Sequence, residues 1–283
     1  VGDALPEAVQ ARLTYDEVEE RIHAGDRVLT ALYRIALRLR EERESHGAIN
    51  LRRREIKIRV QQKESGDQIH ISTIDANSAS RVLVSELMVL LNRLAADFAA
   101  TNTLPVIFRT QEPRDPVPAD TTLPEVLAFE KLRRSFKRSR LSLTPGLHSG
   151  LGLSAYTQVS SPIRRYSDMV TQRQFTALLH GNPVPHTREE LLQVLAAAEG
   201  AELEIRSLEE RSTSYWLLEY LAREKMGSVL NAVVLDKKGT VELDEYYLRG
   251  RLPDPGTAEP GNAVQVTIDE IDPLRAEIRF RRA

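Results

Sequence analysis

The stretches 229–243, VLNAVVLDKKGTVEL, and 263–280, AVQVTIDEIDPLRAEIRF, decide the fold of the C-terminal part of the chain. Val229, Val233 and Leu235, then Val241 and Leu243, then Val264, Val266 and Ile268, then Ile278 and Phe280 form short alternating runs. A period of two marks a strand with one face buried and the other in water. Lys238-Gly239, Asp254-Pro255-Gly256 and Pro260-Gly261 separate the runs with turn chemistry. Short strands crowded this closely predict a small closed β-barrel, beginning near Met226.

Upstream of Met226 the period changes. Val28, Leu29, Leu32, Ile35, Ala36 and Leu39 fall at helical spacing within Arg27 to Glu44. Glu55 to Val60 then alternates strictly, with Ile56, Ile58 and Val60 on one side; Ile69, Ile71 and Ile74 repeat the pattern after a polar turn at 64–67. These predict a β-hairpin. Ser80 to Ala100 returns to helix around a stripe of Leu83, Leu87, Leu90, Leu91 and Leu94. Four prolines, at 105, 113, 116 and 118, predict little regular structure from Thr103 to Thr122. Leu123 to Arg140 reads as a short basic helix. Thr187 and Glu190 have capping-box spacing ahead of a helix reaching about Lys225. The expected class is α+β: helices and antiparallel sheet over residues 1–225, then a five-stranded OB-type barrel over 226–283.

Composition narrows the chemistry. The 283 residues hold no cysteine, which excludes disulfides, thiolate metal sites and a cysteine nucleophile within this sequence. It also fits a reducing, cytoplasmic setting. Forty-one acids against 39 Lys+Arg give a formal charge of -2, so an anionic partner must meet a local patch rather than a global field. No apolar run approaches the roughly 20 residues of a bilayer span, and no membrane partner is expected. Val1-Gly2-Asp3 has neither a methionine nor a signal pattern, which reads as a processed or truncated chain.

The densest chemical signal is His148 to Arg173, HSGLGLSAYTQVSSPIRRYSDMVTQR. Gly150 and Gly152 permit tight turns. Ser160-Ser161-Pro162 can end an extended stretch and start a helix, with Pro162 in its first turn. Arg164 and Arg165 then lie near the helix amino end, where free N–H groups favour an anion and planar guanidinium groups grip phosphate. A glycine-rich loop and a helix cap with solvated arginines fit the same residues. Lys131, Arg133, Arg134, Lys137, Arg138 and Arg140 are six cations in ten residues. If helical, Lys131, Arg134, Lys137 and Arg138 share a face that either tracks a single-stranded backbone or is merely solvated. A Ser/His hydrolase built on His148 and Ser161 is disfavoured, because Gly152-Leu153-Ser154 lacks the closing glycine of a nucleophile elbow. His23, His46, His70, His148, His180 and His186 show no metal-ligand spacing.

The string HSGLGLSAYTQVSSPIRRYSD resembles the signature of the ribonuclease II/R (RNB) family of processive 3′-to-5′ exoribonucleases. Ala11-Arg12-Leu13-Thr14-Tyr15-Asp16, Ser85-Glu86-Leu87-Met88 with Asn92, and Leu208-Glu209-Glu210-Arg211 with Trp216-Leu217 resemble other family stretches in the same order. The resemblance implies that Arg164 contacts the reacting phosphate, with Arg165 and Tyr166 beside it as RNA contacts. It implies that Tyr15 and Glu86 lie near the ribose and favour RNA through its 2′-OH. It implies that Glu210 lies near the 3′-terminal nucleotides; Lys131, Arg134 and Arg138 are candidate backbone contacts on the charge and spacing of the basic run alone. Single-stranded RNA is the implied partner, shortened from its 3′ end to 5′-nucleoside monophosphates. Gln158 stands where the family often has histidine, and no stacking aromatic is found near Leu51; both bear on product length and terminal-base stacking.

The family's Mg²⁺ ligands come from a compact aspartate run upstream of the region resembled here, and no such run stands in this sequence. Asp269-Glu270-Ile271-Asp272 reads as solvated acids at a strand edge. The resemblance therefore implies either one part of a larger Mg²⁺-dependent enzyme, with ligands supplied by the N-terminal remainder of the same protein, or a non-catalytic single-stranded-RNA-binding relative.

Overall fold

A computed structural model describes residues 11–50, 55–64, 66–116 and 124–283. Leu51 and Pro118 lie outside the described residues. The chain forms two compact units. The first comprises Val1–Arg52, Ala76–Asp115 and Phe136–Glu202; the second comprises Arg53–Asp75, Pro116–Ser135 and Leu203–Ala283.

In the first unit, α1 (Tyr15–His23) starts from a capping box in which Thr14 accepts from Glu17 N and the Glu17 carboxylate accepts from Thr14 N. α2 (Arg27–Ser45) starts where Asp26 accepts from Val28 N and Leu29 N, satisfying two donors a helix start leaves open. After the hairpin strands β1 (Glu55–Lys63) and β2 (Gly66–Ile74), which belong to the second unit, the chain returns as α3 (Ala79–Thr101). α3 packs against α2 through Val82, Leu83 and Ala36. The proline-rich segment contains one short strand that was not expected, β3 (Phe108–Thr110). It pairs antiparallel with β4 (Arg140–Ser142) across an interval of thirty residues, which leaves no local period to read.

Between them lies α4 (Glu125–Ser135), in the second unit. It ends at Ser135, whose hydroxyl donates back to Leu132 O at 2.6 Å. Lys137 and Arg138 fall beyond it, so the expected single helical face of Lys131, Arg134, Lys137 and Arg138 does not form. α5 (Tyr166–Leu179) and α6 (Arg188–Glu224) complete the helices. α6 begins as its sequence predicts: Glu190 accepts from Thr187 N at 2.8 Å while Thr187 Oγ1 accepts from Glu190 N at 3.2 Å. No helix among the described residues is long and apolar enough to cross a membrane.

The second unit is built on the expected barrel. Strands β5 (Leu230–Val234), β6 (Thr240–Leu243), β7 (Arg249–Arg251), β8 (Ala263–Asp272) and β9 (Glu277–Arg282) close in the order β5-β6-β7-β9-β8. The β7–β9 pairing is parallel and the others are antiparallel. Val234, Val241, Leu243, Leu252, Val266 and Phe280 fill the interior, and Leu217, Leu218 and Leu221 of α6 pack against them. Gly250 lies against the Phe280 ring, where a Cβ would collide, so glycine is what lets β7 close the barrel. On one side of the β1–β2 hairpin, Ile56, Ile58 and Ile71 pack against this core.

Candidate active-site loop

Residues 156–160 make one antiparallel bridge, Thr157 to Phe108 of β3, with Arg109 N donating to Tyr156 O at 2.8 Å, and are otherwise fixed by side-chain hydrogen bonds. Asn92, only 2% exposed on α3, donates to Tyr156 Oη at 2.9 Å and to Ser160 Oγ at 3.4 Å, and accepts from Val159 N at 3.0 Å. Gln172 of α5 donates to Val159 O at 2.6 Å, and the Thr157 hydroxyl donates to Ile107 O at 2.6 Å. Ser149–Leu151 forms one 3₁₀ turn ending at Gly152, whose φ of 64° lies in the left-handed region. A Cβ there would stand 2.5 Å from Arg43 O, so glycine lets this loop lie against the end of α2.

The segment 161–165 is a separate turn, not the first turn of the helix. Arg164 N and Arg165 N both donate to Ser161 O, at 3.2 and 3.0 Å, and α5 starts only at Tyr166 with Arg165 as its cap. The expectation of Pro162 inside the helix fails because Asp168 captures the Ser161 amide at 2.9 Å, holding that end of the chain as a turn. Asp168 is fully buried; the same oxygen, Oδ2, accepts from Arg165 Nη2 at 2.8 Å. The two adjacent arginines thus differ. Arg165 folds inward onto a carboxylate, whereas Arg164 is exposed and makes no side-chain hydrogen bond or ion pair among the described residues. Ile163 and Tyr166 flank it, both exposed.

The other candidates are distributed. Glu86 is 1% exposed; it accepts from Arg43 Nη2 at 2.5 Å, Arg43 Nε at 2.9 Å and Arg40 Nε at 3.4 Å. Arg43 in turn donates to Leu151 O at 3.1 Å, linking Glu86 to the glycine loop. Tyr15 is half-exposed beneath the Arg81 guanidinium, 4.3 Å from its ring centroid. A cleft beside the Arg43–Glu86 pair is lined by Leu39, Arg43, Glu86, Val89, Leu90 and Arg93; neither Tyr15 nor Arg164 lines it. No hydrogen bond or ion pair joins Tyr15, Glu86 and Arg164 to one another among the described residues. Glu210 is exposed on the second-unit part of α6. Lys131 and Arg134 are exposed on α4, with Arg134 Nε 3.7 Å from Glu130, and Arg138 is exposed beyond the helix.

His148, which motif reading associates with a hydrolase, is a buried packing group. Its ring meets Tyr156 edge-on at 5.4 Å, and no serine hydroxyl bonds to it among the described residues. Burial, with the positive charge of Arg109 adding to it, lowers its pKa from 6.5 to about 4. Arg109 is itself committed to the Glu202 carboxylate at 2.7 and 2.8 Å and to Gln158 at 3.1 Å. Arg109 and Asp168 support the loop without having stood out in the sequence; the one available signal was the spacing of three between Arg165 and Asp168.

Among the described residues, no three His, Asp or Glu side chains converge as a metal site. The acid nearest the Arg164 turn, Asp168, is buried and committed to its own loop. These residues do not fit a Mg²⁺ pair, which needs several open carboxylate oxygens.

Residues 8–181 match the RNB domain family, and residues 228–283 match the RNase II-type exonuclease C-terminal S1 domain. An uncharacterized ribonuclease of Synechocystis sp. is 34% identical over 95% of this chain, and the chain spans 42% of that relative's length. The fold is similar to that of the Dss1 exoribonuclease of Candida glabrata, an active-site mutant (TM-score 0.81, 22% identity, 96% of this chain, 38% of that one). It is likewise similar to Mycoplasma genitalium RNase R in complex with ribose-methylated single-stranded RNA (TM-score 0.76, 18% identity, 96% of this chain, 53% of that one). With an RNB match over most of its length and an S1 barrel behind it, this chain belongs to the RNase II-type RNB family.

Proposed function

We propose that this chain supplies the RNA-holding part of a 3′-to-5′ exoribonuclease that releases 5′-nucleoside monophosphates from single-stranded RNA in the cytoplasm. The observation that carries this is the pair of adjacent arginines. Asp168 neutralises Arg165 and fixes the turn, which leaves Arg164 exposed, uncommitted and held by a backbone that does not have to reorganise. A guanidinium carried on a fixed backbone turn can meet charge as it develops on a phosphoryl oxygen, and can bind it bidentately. Glu86 then acts through Arg43 and the Leu151 carbonyl as a support for the glycine loop, and Tyr15 stands half-exposed at the start of α1. Mg²⁺, when bound by carboxylates outside this chain, would supply an activated water.

The test uses the full-length gene product and a labelled single-stranded RNA. Arg164→Ala should lower kcat by about 10²–10³-fold, the range for losing one preorganised donor, while RNA affinity changes little. Equal losses in kcat and affinity would remove the transition-state role. The lack of a convergent metal-binding group among the described residues favours a second reading, a module that grips RNA without cutting it. A wild-type full-length protein that binds the RNA but leaves it intact with Mg²⁺ would select that reading.

A further inference from the structure

Three of the six cations in the densest run of the sequence lie beside acids. Arg133 donates twice to Glu130 at 3.1 Å, Arg134 lies 3.7 Å from the same carboxylate, and Lys137 is 2.7 Å from Asp115. The β1–β2 hairpin is different. Its register pairs Lys57 with Ser72, Arg59 with His70, Gln61 with Gln68 and Lys63 with Gly66. Alternation puts these residues on the face opposite Ile56, Ile58 and Ile71, which are packed on the barrel core. Arg59, Gln61, Lys63, Gln68, His70 and Ser72 are exposed and Lys57 is partly so. Lys57, Arg59 and Lys63 have no ion pair or side-chain hydrogen bond among the described residues, and Glu55, at one end, is the only acid on the face.

A row of unneutralised cations fits a polyanion. Lys57 and Arg59 repeat at about 7 Å along the strand, and Gln61, Gln68 and Ser72 add neutral donors between them. The centre of the face carries no aromatic or large apolar anchor, which a stable protein interface requires and a phosphate backbone does not. We propose that this outward hairpin face binds the sugar-phosphate backbone of single-stranded RNA, with Lys57, Arg59 and Lys63 as its phosphate contacts. The proposal rests on the RNA-binding reading given above and adds a surface outside the Arg164 loop.

Binding of a fluorescent oligouridylate to the 283-residue chain, followed from 50 to 200 mM salt, tests it. Each phosphate contact contributes about 0.7 to the slope of log K against log salt on a single strand. Lys57→Ala/Arg59→Ala/Lys63→Ala should therefore reduce the slope by about 2, with an unchanged thermal midpoint. Arg59→Glu alone should reduce it by about 1, and serves if the triple variant unfolds. An unchanged slope in a folded variant overturns the hairpin proposal and leaves the RNA reading standing. Absence of oligouridylate binding by the wild-type chain at the lowest salt overturns both. Loss of polyglutamate binding with unaltered oligouridylate binding also overturns it, and makes the face a site for acidic protein.

Discussion

The Arg165–Asp168 pair decides whether the turn bearing Arg164 is rigid. Asp168→Ala removes the acceptor for Ser161 N and Arg165 Nη2 together. Removing one partner of a buried pair costs about 3–5 kcal/mol, because the other charge is stranded. Here the value falls at the low end for two reasons. Arg165 retains 20% side-chain exposure and can turn toward water. The pair is also monodentate, since Arg165 Nε and Asp168 Oδ1 have no hydrogen-bond partner. We expect about 3 kcal/mol for Asp168→Ala, a large share of a stability of roughly 5–15 kcal/mol. Arg165→Ala should cost at least as much, because it leaves a wholly buried carboxylate with one backbone donor. Urea unfolding of both single variants and the double variant closes a cycle, with constant m as the control. The expected coupling is about 1–3 kcal/mol. Additivity within about 0.5 kcal/mol would refute the brace, and with it the reason given for Arg164 standing free.

Two further outcomes are expected. His148 has a folded pKa of about 4 against 6.5 unfolded, so the unfolded chain binds the proton first; its contribution is complete above pH 6.5 and is lost as pH falls toward 4. That loss is roughly 3 kcal/mol, and His148→Gln should flatten the urea-derived stability profile over that window; identical profiles would contradict it. In the barrel unit, Arg249 donates to Glu242 at 3.0 Å and to Glu130, both acids being buried. Burial pushes Glu130 upward, but hydrogen bonds from Arg133 and Arg249 outweigh it and hold the group at about 2. Its contribution is thus present above pH 4.5 and lost only as pH falls through about 2. Arg249 is 35% exposed and Glu130 keeps Arg133, so Arg249→Met should destabilise this unit by about 1–3 kcal/mol at pH 7 and raise the pH at which acid unfolding starts; a midpoint unmoved in both measurements would show the triad to be inert.

Periodic features were legible because each is set by neighbours in sequence. α2 begins at Arg27 as its apolar spacing predicts, the hairpin follows its alternating isoleucines, and the barrel closes with five strands. What escaped was long-range and polar. β3 exists only through its partner at 140–142, and the end of α4 depends on a serine bonding back to its own turn. Glu86 precedes a leucine stripe and reads locally as a surface acid, yet arginines 43 and 46 residues upstream reach over to bury it. A charged residue's role is fixed by what can reach it, and spacing along one helix does not contain that. The same logic separates cations that equally dense sequence runs make look alike. Arg133, Arg134 and Lys137 each lie near an acid and Arg165 is spent on Asp168, whereas Lys131, Arg138, Arg140, Arg164 and the hairpin row are left without a partner among the described residues. A guanidinium already neutralised at 2.8 Å has little attraction left for a phosphate, so pairing, more than charge density, distinguishes the positions where an RNA backbone gains the most.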